Sequence, residues 1–229
     1  MSMQAKLKTR GLIMLVTFFV LLVVIFMPVF PGKVNGLDYM DNLFNMISKG
    51  SSYFIPDSMK KSEAFAGKAL DLKVKVDNEA MAAEVAKQVT LGGMQGAAAG
   101  AEVTIKGDVA QLLKASLVDA DFLFKNEGKP IADKYGFSEK KAVYNWHVVF
   151  KKVSAELTKA KRFDDAKIFA DVQKKSLEPA YNYYGVKAEG WKENIGLVVF
   201  ALAFYVVYTL WYGFGLMYLF EGMGLKIGH

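Results

Sequence analysis

Two long stretches without a single charge constrain this chain more than any other feature. Residues 11–30 and 195–220 contain no Asp, Glu, Lys or Arg, and nearly all the charge lies between Lys33 and Glu193. A run of about 20 apolar residues spans the ~30 Å hydrocarbon core of a bilayer as a helix. A soluble domain of this size cannot cover two such helices on all sides. The sequence therefore predicts an integral membrane protein, with two transmembrane helices flanking an α+β, mostly helical, soluble domain. The expected limits are a cytoplasmic tail at 1–10, spans at 11–31 and 191–221, an extracytoplasmic domain at 32–190 and a second cytoplasmic tail at 222–229.

The first stretch also has the outline of a signal peptide, with Lys6, Lys8 and Arg10 before an apolar run. The residues that follow, Met27-Pro28-Val29-Phe30-Pro31, offer no small-x-small cleavage site. It reads as an uncleaved anchor. With two spans, both termini lie on one side, and basic residues near helix ends favour the cytoplasm. Lys6, Lys8 and Arg10 at one end and Lys226 at the other place the termini inside. In a bacterium that makes an inner-membrane protein with a periplasmic domain.

The net charge of +6 is not a nucleic-acid signature, because only Arg10 and Arg162 among 29 basic residues are arginine and 23 acids are mixed with them. No nucleic-acid partner is expected. The chain has no cysteine, which removes disulfides, thiolate nucleophiles, Cys-ligated zinc, iron–sulfur clusters and c-type haem attachment.

After Pro28, Pro31 and Gly32 end the first span, Leu37, Met40, Leu43, Phe44 and Ile47 recur at helical spacing. Lys49-Gly50-Ser51-Ser52 is expected to break that amphipathic helix, and Tyr53-Phe54-Ile55-Pro56 makes an apolar patch suited to a membrane interface. Leu70, Leu72, Val74 and Val76 alternate with polar residues as a half-buried strand. Asp77 or Asn78 can cap the helix that follows. Gly92-Gly93-Met94-Gln95-Gly96-Ala97-Ala98-Ala99-Gly100 reads as a loop, then Ala101, Val103 and Ile105 form a second strand, and a helix starts at Gly107-Asp108. The strand–helix–strand–helix region covers 69–126. Two strands alone are marginal, so a third is either hidden or supplied by a partner.

From 138 to 179 the pattern is a helical hairpin, with Ala142, Trp146, Val149, Val153 and Leu157 on one apolar face. The segment from Trp146 to Pro179 resembles one tetratricopeptide hairpin. Arg162-Phe163-Asp164-Asp165-Ala166 stands at the turn and Leu177-Glu178-Pro179 at the close. That family works by stacking repeats, and this pattern occurs once, so the resemblance implies a hairpin. Tyr181, Tyr183, Tyr184 and Trp191 precede the second span as an aromatic belt would, or as ordinary domain packing.

Catalytic signatures are sparse. His147 is the one histidine of the soluble domain, without a second ligand at metal spacing, and reads as structural; His229 ends the chain. The glycine-rich stretch has neither a P-loop ending nor a Gly-x-Gly-x-x-Gly pattern, although its small residues permit close approach by a partner backbone. Asp119 and Asp121, two apart on a helix, do not face each other, and Asp164 and Asp165 suit a helix start. No Gly-x-Ser-x-Gly elbow is present. The expectation is no enzyme, no catalytic residue, no metal site and no cofactor.

The second span carries more information than the first. Its residues Tyr205, Tyr208 and Tyr212 share a face by spacing, and phenol hydroxyls in hydrocarbon need partners. Gly213, Gly215, Gly222 and Gly224 allow helices to approach closely. Lipid alone would be satisfied by Leu and Val, as in the first span. Tyr205, Tyr208, Trp211, Tyr212, Gly213 and Gly215 are therefore the expected contacts to other membrane subunits or to copies of the chain, beside the lipid bilayer itself. The function this predicts is a non-catalytic accessory or scaffolding subunit of a larger membrane complex. One alternative is an extracytoplasmic sensor or ligand-binding protein, which would be expected to continue into a longer cytoplasmic part than residues 221–229. Another is a subunit of an electron-transfer or transport complex, with Glu221 as the acid near a membrane end.

Overall fold

The computed structural model describes residues 2–225. Lys226 and His229 lie outside the described residues. The chain divides into two compact units, residues 2–47 with 189–225 and residues 48–188.

The first unit holds α1 (Met3–Phe26) and the last helix, α10 (Ile195–Gly222), both long and apolar enough to cross a membrane. Helix α1 starts at Met3, where the Ser2 hydroxyl accepts a hydrogen bond from the Ala5 amide at 3.2 Å. Lys6, Lys8 and Arg10 are thus carried on the helix itself. Asn35 caps α2 (Gly36–Ser51), its side-chain oxygen accepting from the Asp38 amide at 2.8 Å. Leu43 of this helix is buried, whereas Leu37 and Phe44 are exposed. The helix runs through Lys49 and ends at Ser51, inside the stretch expected to break it.

In the second unit, α3 (Ile55–Glu63) leads to β1 (Ala69–Lys75), α4 (Glu79–Leu91), β2 (Gln95–Ala99), β3 (Glu102–Asp108) and α5 (Val109–Phe124). Asn78 is the cap of α4, accepting from Met81 N at 2.9 Å, and Asp108 caps α5 by accepting from Gln111 N at 3.0 Å. The third strand was hidden in the glycine-rich stretch: Gln95–Ala99 pairs with β3, and the sheet order is β1-β3-β2 with both pairings antiparallel. Strands β1 and β2 therefore run parallel through α4 with β3 between them. Gly96 explains why this stretch can be a strand, since a Cβ there would lie 2.5 Å from the Ala86 carbonyl oxygen of α4. One face of the sheet buries Leu70, Val74, Val103 and Ile105 against Ala82, Val85 and Val89 of α4. The other face carries Asp71, Lys73, Lys75, Glu102 and Lys106 and is open.

Helices α6 (Lys129–Tyr135), α7 (Glu139–Lys159) and α8 (Phe163–Val172) follow, then a π-helical turn (Gln173–Leu177) and α9 (Glu178–Asn182). Helices α7 and α8 form the expected hairpin. The helix widens into the π-turn just before Pro179, so that the proline falls in the first turn of α9, where its missing amide costs nothing. Helix α5 is the centre of the core, with Leu112, Leu113, Leu117, Ala120 and Leu123 fully buried. Trp146, Phe150 and Phe169 close the core edge to face, the last two with ring centroids 4.9 Å apart. Tyr181, Tyr183 and Tyr184 pack partly buried on this core. Of the aromatic cluster before the second span, Trp191 alone is as exposed as a belt residue would be.

Candidate functional site

The helix pair of the first unit contains every residue for which the sequence predicts partner contact, and it sorts them into two groups. Gly11, Leu15 and Phe18 are the buried residues of α1. Against them α10 sets Tyr208, Trp211 and Gly215, at alternating spacings of four and three that keep one seam facing its partner. A Cβ at Gly11 would lie 2.5 Å from Leu219 N and 2.8 Å from the Gly215 carbonyl, so the backbones touch there. Gly222 meets the backbone of Lys8 in the same way. The Phe18 ring stacks on Tyr208 at 4.2 Å and leans on Tyr212 at 4.9 Å. Trp211 donates its indole N–H to the Met14 carbonyl at 3.1 Å, and the Arg10 guanidinium lies 4.5 Å from the Tyr218 ring centre.

Tyr208, Trp211, Tyr212 and Gly215 thus find contacts on the chain's own first helix. Tyr205 and Gly213 do not. Tyr205 is 69% exposed, and nothing lies within 4 Å of a Cβ built on Gly213. The Tyr208 hydroxyl is buried and has no hydrogen-bond partner among the described residues. From sequence the first apolar helix reads as a plain anchor, and nothing in that reading singles out Gly11, Leu15 and Phe18. Their spacing, with a glycine inside an apolar run, was the available signal.

In the second unit the candidate acids are held in structural bonds. Asp119 is buried and accepts from the Tyr135 hydroxyl at 2.6 Å and from the Trp146 indole N–H at 2.7 Å, both on Oδ2, while Lys134 reaches Oδ1 at 3.2 Å. Burial first, and the Asp119 charge second, push the Tyr135 hydroxyl far above its ordinary pKa, so it remains a donor. Asp121 points elsewhere, to Tyr53 at 2.6 Å and Lys125 at 2.6 Å. Asp165 lies in the first turn of α8 between Lys68 at 2.9 Å and Arg162 at 2.7 Å. Burial works to raise its pKa, but these two hydrogen-bonded cations outweigh it and hold the carboxyl below the usual range.

His147 packs beside Tyr144, with Gln173 of the π-turn at 3.3 Å and Glu178 at 3.8 Å. Burial lowers its pKa, against the pull of Glu178. Among the described residues no three His, Asp or Glu side chains gather as a metal site.

Lys49, read from sequence as part of a helix break, is a buried ammonium. It donates to Asn126 Oδ1 at 2.9 Å and to the Tyr183 and Val186 carbonyls at 3.0 and 2.7 Å. Burial lowers its pKa, yet three acceptors match the three N–H bonds of the charged form. The adjoining hollow of about 380 Å³ is lined by Lys49, Tyr53, Phe124, Lys125 and Asn126 among others. Lys49, Tyr53 and Lys125 are already engaged in the bonds above. No signal in the sequence distinguishes Lys49 from the other lysines. Comparison with known protein families, with curated proteins and with solved structures returns no match.

Proposed function

We propose that this chain is a non-catalytic accessory or scaffolding subunit of a larger membrane complex, anchored by two spans and presenting its 32–190 region to partners outside the membrane. The positive-inside bias puts the termini in the cytoplasm and that region, in a bacterium, in the periplasm. The observation that carries the reading is the face of α10 left over once α1 has taken its share. There Tyr205 at 69% exposure and an open Gly213 sit among Leu202, Val206 and Leu210. A phenol hydroxyl facing hydrocarbon is costly without an acceptor, and an open glycine lets a neighbouring helix approach. The non-catalytic part is supported by the engagement of Asp119, Asp121 and Asp165 in hydrogen bonds that serve packing.

Purification of the full chain from its native membrane in mild detergent, followed by native-gel electrophoresis, tests this. Other membrane proteins should migrate with the wild type, and Gly213→Leu with Tyr205→Leu should release them while leaving the α1–α10 seam intact. A clean monomer at every concentration would count against the proposal.

A further inference from the structure

The three-stranded sheet has two outer edges, and they are treated differently. On β1 the edge is guarded. Arg162 donates to the Ala69 carbonyl at 3.0 Å, and the strand carries Lys73 and Lys75, the kind of charge that blunts an edge. Strand β2, Gln-Gly-Ala-Ala-Ala, has no charge, no proline and no bulky side chain.

Which groups β2 leaves open follows from its turn. Ala99 and Glu102 close a two-residue hairpin with Gly100 at φ 57°, the first-position glycine of a type II′ turn. Such a hairpin closes on a hydrogen-bonded pair, and pairs alternate along an antiparallel ladder. Ala99, Ala97 and Gln95 therefore bond to β3, while Gly96 and Ala98 turn their N–H and C=O groups outward. The bond from Val76 N to the Ala101 carbonyl at 2.9 Å fits the same parity, since odd-numbered residues of this ladder then face β1. Among the described residues the Gly96 carbonyl meets only the Thr90 hydroxyl at 3.4 Å, whose proton is already given to Ala86 at 2.8 Å.

We propose that this edge pairs with the same edge of a second copy of the chain, giving a continuous six-stranded antiparallel sheet across a two-fold axis. With Gly96 and Ala98 as the outward residues, the symmetric register is centred on Ala97. Gly96 bonds the partner's Ala98 and Ala98 bonds the partner's Gly96. Ala97 then faces the partner's Ala97 as a non-hydrogen-bonded pair, where Cα atoms approach to about 4.5 Å and small side chains fit best. The charges on the open face agree with this register. Lys106 stands beside Gln95 and Glu102 beside Ala99. Antiparallel pairing puts Gln95 opposite the partner's Ala99, so each row alternates in sign across the junction, with Asp71 and Lys106, paired at 3.0 Å, on one side and the partner's Glu102 and the partner's Lys75 on the other.

The chain has no cysteine, so single-cysteine variants of the full chain in detergent or nanodiscs report on this contact. A Cα separation of about 4.5 Å lies within disulfide reach. Ala97→Cys should form a disulfide-linked dimer on mild oxidation at least ~10-fold faster than Lys73→Cys on the guarded edge, because pairing raises the local thiol concentration. Ala97 is exposed on the open face, so Ala97→Lys and Ala97→Glu should fold, as far-UV circular dichroism would verify. Each alone should be monomeric in size-exclusion chromatography with light scattering, and mixing the two should restore the dimer. Equal cross-linking at 97 and 73 would overturn the proposal. So would a dimer that survives Ala97→Lys unchanged, which would be held by the spans instead.

Discussion

Removal of the Asp119 carboxylate is the perturbation whose cost the structure defines best. Oδ2 is the acceptor for the Tyr135 hydroxyl at 2.6 Å and the Trp146 indole at 2.7 Å, and both donors are fully buried. Asp119→Ala strands both. An unpaired buried donor costs about 1–3 kcal/mol, so the loss is about 2–6 kcal/mol, a large share of the ~5–15 kcal/mol that holds an ordinary domain together. For a domain of this size, each kcal/mol moves Tm by about 2–4 °C, so Tm should fall by at least ~4 °C. The Lys134 contact adds little, because that lysine reaches solvent. Asp119→Asn can keep an acceptor oxygen at the Oδ2 position and should cost less than Ala. Urea unfolding of the full chain in detergent, followed by near-ultraviolet circular dichroism, gives the free energies. The decisive comparison is Tyr135→Phe in two backgrounds. In the wild type it removes a good hydrogen bond and should cost about 1–2 kcal/mol. In Asp119→Ala it removes a stranded hydroxyl and should be neutral or stabilising. Equal costs in both backgrounds would refute the coupling.

Asp165 should shape the acid limb of stability. Its folded pKa is depressed, so its contribution is fully present above the unfolded value near ~3.9 and is lost as pH falls through the folded value. Acid titration of Asp165→Asn should therefore give a shallower loss of stability below about pH 4 than the wild type; an unchanged acid limb would mean that Lys68 and Arg162 do not hold this carboxylate. In the helix pair, Gly11→Leu drives a side chain into the α10 backbone and should lower thermal stability by about 1–3 kcal/mol. Gly213→Leu, into open space, should leave the isolated chain unchanged, and equal effects at the two positions would refute the seam.

The parts of the 48–188 unit that were legible in the sequence are those set by local chemistry. Leu70, Leu72 and Val74 alternate because one sheet face is buried, and Asn78 and Asp108 announce helix starts because their side chains replace missing backbone acceptors. Strand β2 was not legible, because its small residues carry neither alternation nor β-branching. It is a strand for tertiary reasons: β3 offers it a ladder, and Gly96 lets α4 press against it. Tyr181, Tyr183 and Tyr184 were legible only as two alternatives, a membrane belt or domain packing. Their position before an apolar helix imitates a membrane belt, whereas their rings lean on the α7–α9 core.

The candidate site divides along the same line. Composition sets α10 apart from a plain Leu/Val helix, because lipid alone gives no reason for Tyr, Trp and Gly. It could not apportion them, since one helix's periodicity does not say which neighbour it faces. The apportioning comes from α1: Gly11 admits the Gly215 backbone, Phe18 covers Tyr208, and the Met14 carbonyl takes the Trp211 proton. What α1 does not cover is a narrower surface than the sequence implied, centred on Tyr205 and Gly213. That narrowing makes the partner question answerable residue by residue. Substitutions at Gly11 or Gly215 should damage the chain itself, and those at Tyr205 or Gly213 should act only when a partner helix is present.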